Sequence, residues 1–481
     1  MPTQRAEQVI PIEGFNLGGL ADSKFSGVAN SVYKMVGFDP HSTPGLLKVA
    51  QKLTLNSAET VTELCTHALA LTTGDTVWFS GTTGKIWVRL AVGTWHLAHT
   101  TVPTAGGAAC LGAFEYQGYV YWATESYLHR IASTDVDEDW AGTLTGQNFA
   151  KFLITDAAYH PMIEQNNVLY IGDGRYLTQV DTGVFSGIAL DIKTPRRISA
   201  LGKIGTDVLI GTYNGADVVK TEVIRWNTVS VNFAVSDPVD EEGINVFMPG
   251  DSIVFVQAGL RGNIYTYNGQ ALELFKKIPG DFTAAKYGQV YPGSVANVGG
   301  NILFGFSNGA ADPADEGIYR LGRAGRSYPY ILDFPYPTSQ RNVAAFILVG
   351  TTIGAVLMDG HDLYVAWKED TSYGVDKIDA ANKLTGGYLE TRVMSATREP
   401  FSIFQKFLVA YETVPASCVI EILYDKNYTG SYTVTTEVKD TTRKLVYAEE
   451  GVEANTLQLK LLITANVNDA PTIERAAVFL R

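Results

Sequence analysis

Residues 74–90 read GDTVWFSGTTGKIWVRL: a Gly-Asp turn, a short strand through Val77-Trp78-Phe79, a Gly-Thr-Thr-Gly turn, and a second strand through Ile86-Trp87-Val88. Aromatic and β-branched residues on both sides of a glycine turn specify a β-hairpin. The unit returns as QGYVYWATESYLHRI (117–131), NNVLYIGDGRYLTQV (166–180) and GDSIVFVQAGLRGNIYTY (250–267). More divergent copies follow the same plan. The apolar residue opening each first strand is Val77, Val120, Val168, Val208, Ile253, Ile302 or Ile353, so the unit recurs about every 40 to 50 residues. A strand-built period of that length is the mark of a β-propeller blade. The first strand of each unit is apolar on both faces, as in Ile253-Val254-Phe255-Val256, which suits a strand stacked between neighbouring sheets. The second alternates, as in Tyr176-Leu177-Thr178-Gln179-Val180, which suits a strand nearer the rim.

The 481 residues exceed what one core usually organises, which predicts two or three domains. With 46 % hydrophobic residues, 18 % charged residues, 25 Tyr, 21 Phe and 47 Gly, the composition is globular and favours strands and turns over helices. A net charge of −13 argues against tight binding to a nucleic-acid backbone, while leaving open an acidic wall along which DNA slides. Cys65, Cys110 and Cys418 are too few and too far apart for a disulfide framework or a zinc site, and read as reduced packing residues. The opening MPTQRAEQVIPIEG lacks the apolar core of a secretory signal, and no apolar run reaches the roughly 20 residues of a membrane span. The expectation is a protein made in a cytoplasm, with no membrane insertion.

Two other regions flank the repeats. Residues 1–60 carry turn pairs such as Gly18-Gly19, Asp39-Pro40 and Pro44-Gly45 without any sustained period, and read as an irregular arm and docking segment. Residues 388–481 hold six alternating runs, from FQKFLVAYE to IERAAVFLR, and read as a small antiparallel sandwich. The predicted fold is therefore all-β: an N-terminal arm (1–60), a roughly seven-bladed propeller (61–387) and a C-terminal antiparallel β-sandwich (388–481). Blade count is open by one, because the arm or the segment near residue 385 could complete a sheet.

Candidate chemistry is sparse. The turn Ser80-Gly81-Thr82-Thr83-Gly84-Lys85-Ile86-Trp87 resembles the Ser-x-Asp-x-Gly-x-x-Trp turn of sialidase blades, with Thr82 in place of the Asp. Weaker echoes end at Tyr265 and Arg320. In such turns the glycine takes a positive φ and the last side chain packs beneath the hairpin, which is a folding role. The arginine cluster and Tyr/Glu nucleophile pair that a sialidase also needs cannot be placed. A P-loop is excluded, since Ile86 follows Gly84-Lys85 and Phe79 stands where the first glycine belongs. His96 and His99 face opposite sides of a strand and cannot share a metal there. Asp135 to Asp139 lacks the Gly and terminal Glu of a calcium-binding EF-hand loop. The acidic stretches 237–242 and 312–316 are solvated loops or, if turned inward, a negative channel lining. Lys193 to Arg197 and Arg320, Arg323 and Arg326 are connectors or contacts for an acidic partner or DNA phosphate. Asp359-Gly360-His361-Asp362 is foremost a turn. No catalytic, cofactor-binding or metal-ligating residue is assigned, and no cofactor is expected.

The layout itself resembles a known family. A Gly18-Gly19-Leu20 arm, a Phe38-Asp39-Pro40 to Pro44-Gly45-Leu46 segment, a degenerate propeller and a C-terminal β-domain are similar to the tail nozzle or hub proteins of tailed bacteriophages, also called packaged-DNA stabilisation proteins. That resemblance implies a non-enzymatic virion component: a homo-oligomeric ring, usually of six copies, below the portal and adaptor. It would touch other tail proteins, and its bore would retain and later conduct double-stranded DNA without sequence preference. Two other classes stay open: a propeller enzyme acting on polysaccharide, and a propeller module that binds a receptor or another protein.

Overall fold

The computed structural model describes residues 8–57, 60–100, 109–140, 148–213, 221–283, 286–308, 315–340, 350–395, 402–439, 445–466 and 468–480. Strands dominate, and the one α-helix among the described residues is the single turn Phe15–Gly18. Four-stranded antiparallel sheets follow one another at residues 65–99, 112–151, 162–191, 197–239 and 244–277, each strand pairing with the next in sequence. A further such sheet is built from Thr351–Asp359, Asp362–Glu369 and Ser372–Lys383, and its fourth strand is Gln51–Leu55 from the arm. Leu53 pairs there with Ile378 and Leu55 with Asp376, so the chain's early residues close the ring.

The propeller thus has six free-standing four-stranded blades, where the repeat predicts seven. The remaining repeat, residues 295–336, does form a four-strand run, but it does not end at a rim. Its last strand, Ile331–Tyr336, accepts Lys34–Val36 as a parallel neighbour, with Val36 opposite Phe334. Lys34–Val36 then pairs with Gly386–Glu390, and that strand with Thr456–Thr464, making one sheet of eleven strands.

The arm is correspondingly not irregular. Besides Gln51–Leu55 and Lys34–Val36, it supplies Gln8–Ile12, Phe38–Asp39 and Leu47–Val49 to a second sheet shared with Ser402–Tyr411, Leu445–Ala454 and Thr472–Leu480. The expected boundaries at 60 and 387 therefore cut across hydrogen-bonded sheets. One apolar cluster runs through these layers, from Phe15, Met35 and Phe38 through Phe304, Phe334 and Leu389 to Phe407, Ile422 and Leu461. The arm's glycines explain its close seat. A Cβ on Gly18 would meet the Asn30 carbonyl carbon at 2.2 Å, and Gly19, at φ +59°, leaves no room between itself and Leu332.

Polar anchoring is concentrated at Arg320, which is buried rather than held out as a contact for an acidic partner or DNA phosphate. Its guanidinium donates to Asp333 (3.1 and 2.5 Å) and to Asp39 (2.7 Å), tying the arm to the residue 295–336 unit. Burial opposes ionisation of Asp39, but Arg320 and the backbone N–H of His41 outweigh it and hold the carboxyl below its usual range. Replacing Arg320 with Met leaves Asp39 and Asp333 uncompensated, and a loss of about 3–5 kcal/mol is expected in urea unfolding at pH 7. Adding Asp39→Asn and Asp333→Asn to that variant should restore part of it.

Candidate functional site

The inner strands of the blades surround a central cavity of about 440 Å³. Each blade contributes to it, and so does Val295–Val298 of the fused repeat. The walls mix polar and apolar surface in similar measure, with Phe114, Met162, Leu201 and Met358 among the larger side chains, and no Asp, Glu, Lys or Arg of the described residues lines them. Its polar side chains are already committed. Asn245 donates to Gln257 and to the Gly259 carbonyl (both 2.7 Å), and Asn297 donates to the Pro249 carbonyl (2.8 Å). Protein walls in the His67 ring, and that desolvation pushes its pKa down to about 4, so it is neutral at pH 7. Among the described residues this neutral imidazole is the one titratable side chain on the cavity wall.

The acidic stretches do not line this cavity. Asp237 lies on the outer strand Val235–Val239, and Glu241 turns into the next blade, where it accepts from Asn263 Nδ2 (2.5 Å) and the Tyr265 hydroxyl (3.0 Å). Of the second stretch, 312–314 lie outside the described residues. Asp315 is buried against Lys34 at 3.0 Å, and Glu316 accepts the Thr351 N–H at 2.5 Å.

The turn after Phe79 shows what its missing aspartate is replaced by. Glu63, on the segment entering the first blade, accepts from the Ser80 hydroxyl (2.6 Å), the Thr82 hydroxyl (2.9 Å) and the Thr83 hydroxyl (2.6 and 2.7 Å), and pairs with Lys85 at 2.8 Å. Ser80 Oγ in turn accepts the N–H groups of Thr82 and Thr83. Trp87 is fully buried, with its indole N–H on the Thr60 carbonyl at 3.1 Å. The carboxylate a sialidase-type turn carries within itself comes here from Glu63, 19 residues before Thr82.

The remaining sequence candidates occupy structural places. His96 lies 3.8 Å from Glu138, while the His99 ring is partly desolvated and its pKa lowered. Among the described residues no three His, Cys, Asp or Glu side chains are arranged to hold a metal. Asp359 and Asp362 face each other across a hairpin whose Gly360 has φ +60°, and Asp362 pairs with Lys377 at 2.6 Å. Cys65, Cys110 and Cys418 are buried free thiols, and burial pushes Cys110 up to about 12. Arg323 pairs with Asp251.

No protein-family model and no curated protein matches the chain. Solved structures share its propeller architecture at low likeness. The Dos1 propeller aligns over 68 % of this chain and 94 % of its own at 10 % identity, with a TM-score of 0.43. Virginiamycin B lyase from Staphylococcus aureus aligns over 68 % and 99 % at 13 % identity, with a TM-score of 0.45. The extracellular domain of a putative one component system from B. thetaiotaomicron aligns over 84 % of this chain and 48 % of its own at 13 % identity, with a TM-score of 0.46. These likenesses concern the fold and no activity follows from them.

Glu63 provides a pH test. Burial raises its pKa, yet the bonds from Lys85, Ser80, Thr83 and Thr82 prevail and hold it down to about 2. Its contribution to stability is present above the unfolded-state value near 4.3 and is lost as pH falls toward 2. Glu63→Gln should cost about 1–3 kcal/mol at pH 7 and flatten the stability profile between pH 4.5 and pH 2, measured by denaturant titration at each pH.

Proposed function

We propose that this chain is a structural subunit of a bacteriophage tail, of the nozzle or hub kind, that assembles into a ring and helps to retain and conduct packaged DNA. The observation carrying this reading is where the family-like arm residues lie: Gly18-Gly19-Leu20 against Leu332, and Phe38-Asp39 in the core and on Arg320. In this reading the C-terminal strands with the arm form a two-layer sandwich. Arm and C-terminal strands sealed into common sheets suit a wall under load, because a pull on either is resisted by whole ladders of hydrogen bonds. The uncharged central cavity and the absence of a catalytic constellation among the described residues favour a part that does no chemistry. The net charge of −13 would keep such a wall from gripping DNA. Exposed apolar side chains at Val184, Ile188, Val229 and Val231 would be available for contact between subunits.

Native mass spectrometry of the purified protein tests the assembly, and immunogold labelling of particles from the native lysate tests the location. A closed ring, expected at six times the 52.2 kDa chain, together with label at the tail, supports the proposal. A strict monomer at high concentration, with label confined to the soluble fraction, rejects it.

A further inference from the structure

The connector at Lys193 to Arg197 has a feature that the tail reading does not use. It carries the chain from the outer strand of the 162–191 blade to the inner strand of the 197–239 blade, and beside it runs a groove of about 350 Å³. Arg175, on the tight turn after Asp173, forms one wall, and Arg197 forms another. Ile154, Gly174 and Pro195 provide an apolar floor. Gly174 is required there: it has φ +59°, and a Cβ would strike the Ile154 side chain at 2.8 Å.

The three arginines of the groove are not equivalent. Arg196 is spoken for, since its fork grips Glu222 at 2.8 and 3.2 Å. Arg175 donates to the Tyr176 hydroxyl, but its nearest carboxylate, Asp191, stands at 3.7 Å, beyond hydrogen-bond range. Arg197 interacts with the Tyr213 hydroxyl and pairs with Asp156 at 3.6 Å. The Asp156 side chain is 71 % exposed. A guanidinium has five N–H donors in a planar fork, so among the described residues these contacts engage only part of the donor set of Arg175 and of Arg197. Two such forks over an apolar floor are unusual on a chain of charge −13.

We propose that this groove binds a ligand through a carboxylate or phosphate group, held by Arg175 and Arg197, with Asp156 as an internal carboxylate that the ligand displaces. The anion takes charge-assisted hydrogen bonds from both forks, and the rest of the ligand lies on Ile154 and Pro195. The site is independent of the tail proposal, and either can fail alone.

Isothermal titration of the full chain at low salt with inorganic phosphate and, separately, with D-glucuronate tests it. Saturable binding of at least one probe is expected, weakened about tenfold by Arg175→Gln and by Arg197→Gln, which corresponds to about 1.4 kcal/mol. Asp156→Asn should act oppositely and tighten binding several-fold. Arg175→Lys and Arg197→Lys keep the charge without the fork and should give intermediate affinity, so a site whose glutamine variant folds poorly still has a readable partner. Binding of phosphate alone assigns the site to a phosphorylated ligand, of glucuronate alone to a carboxylate, and of both to the shared anion chemistry. No saturable heat with either probe, or unchanged affinity in the arginine variants, overturns the proposal.

Discussion

The structure depends on one buried ion cluster. Arg320 is taken out of water together with Asp333, and Asp39 of the arm, 281 residues earlier in the chain, adds a second carboxylate to the same guanidinium. Charge burial of this kind contributes little net stability but penalises incomplete assembly heavily. With the arm absent, the cluster loses one of its two carboxylates and the edge of Ile331–Tyr336 loses the strand that covers it. The cluster therefore makes arm docking a condition of folding the last third of the propeller.

The same logic recurs at smaller scale at three places where one blade meets the next. Glu63 reaches forward into the turn of the first blade, Glu241 into that of the blade at 244–277, and Asp173 reaches back to the N–H groups of Leu153 and Ile154. Each carboxylate belongs to one segment and satisfies donors on another. The acidic residues that give the chain its net charge are thus partly structural, and the picture of an acid-lined channel gives way to one of acid-pinned junctions around an uncharged cavity.

Much of this was legible in the sequence, and for physical reasons. The strands beginning at Val77, Val120 and Val168 are buried on both faces, so their unbroken apolar runs stand out, and the period between them declares the propeller. The six C-terminal runs fall in six strands because apolar and polar residues alternate along them. The innermost strands escaped notice. Cys65–Ala70 and Gly112–Tyr116 are short and rich in small residues, since they crowd around the axis and present neither alternation nor an apolar run. The arm was opaque for a different reason: its strands are two to five residues long and gain their partners from chain far away, so no local pattern encodes them. The role of Glu63 was likewise hidden, because the turn motif offers no hint that its carboxylate lies outside it. The groove at Arg175 and Arg197 was half visible as a basic stretch, and needed the fold to bring Arg175 to it.

Closure of the last blade by Gln51–Leu55 has a consequence for how the protein is made. That strand leaves the ribosome early, but its partner, Ser372–Lys383, follows more than 300 residues later. Throughout that interval the strand is an unpaired edge with Leu53 and Leu55 uncovered, and the blades from 65 to 277 can stack without yet forming a circle. Chain order thus separates growth of the propeller, which proceeds blade by blade with synthesis, from its locking, which is one late event joining early chain to late chain. Contacts of such long separation close slowly. The same event turns a row of sheets into a body without ends.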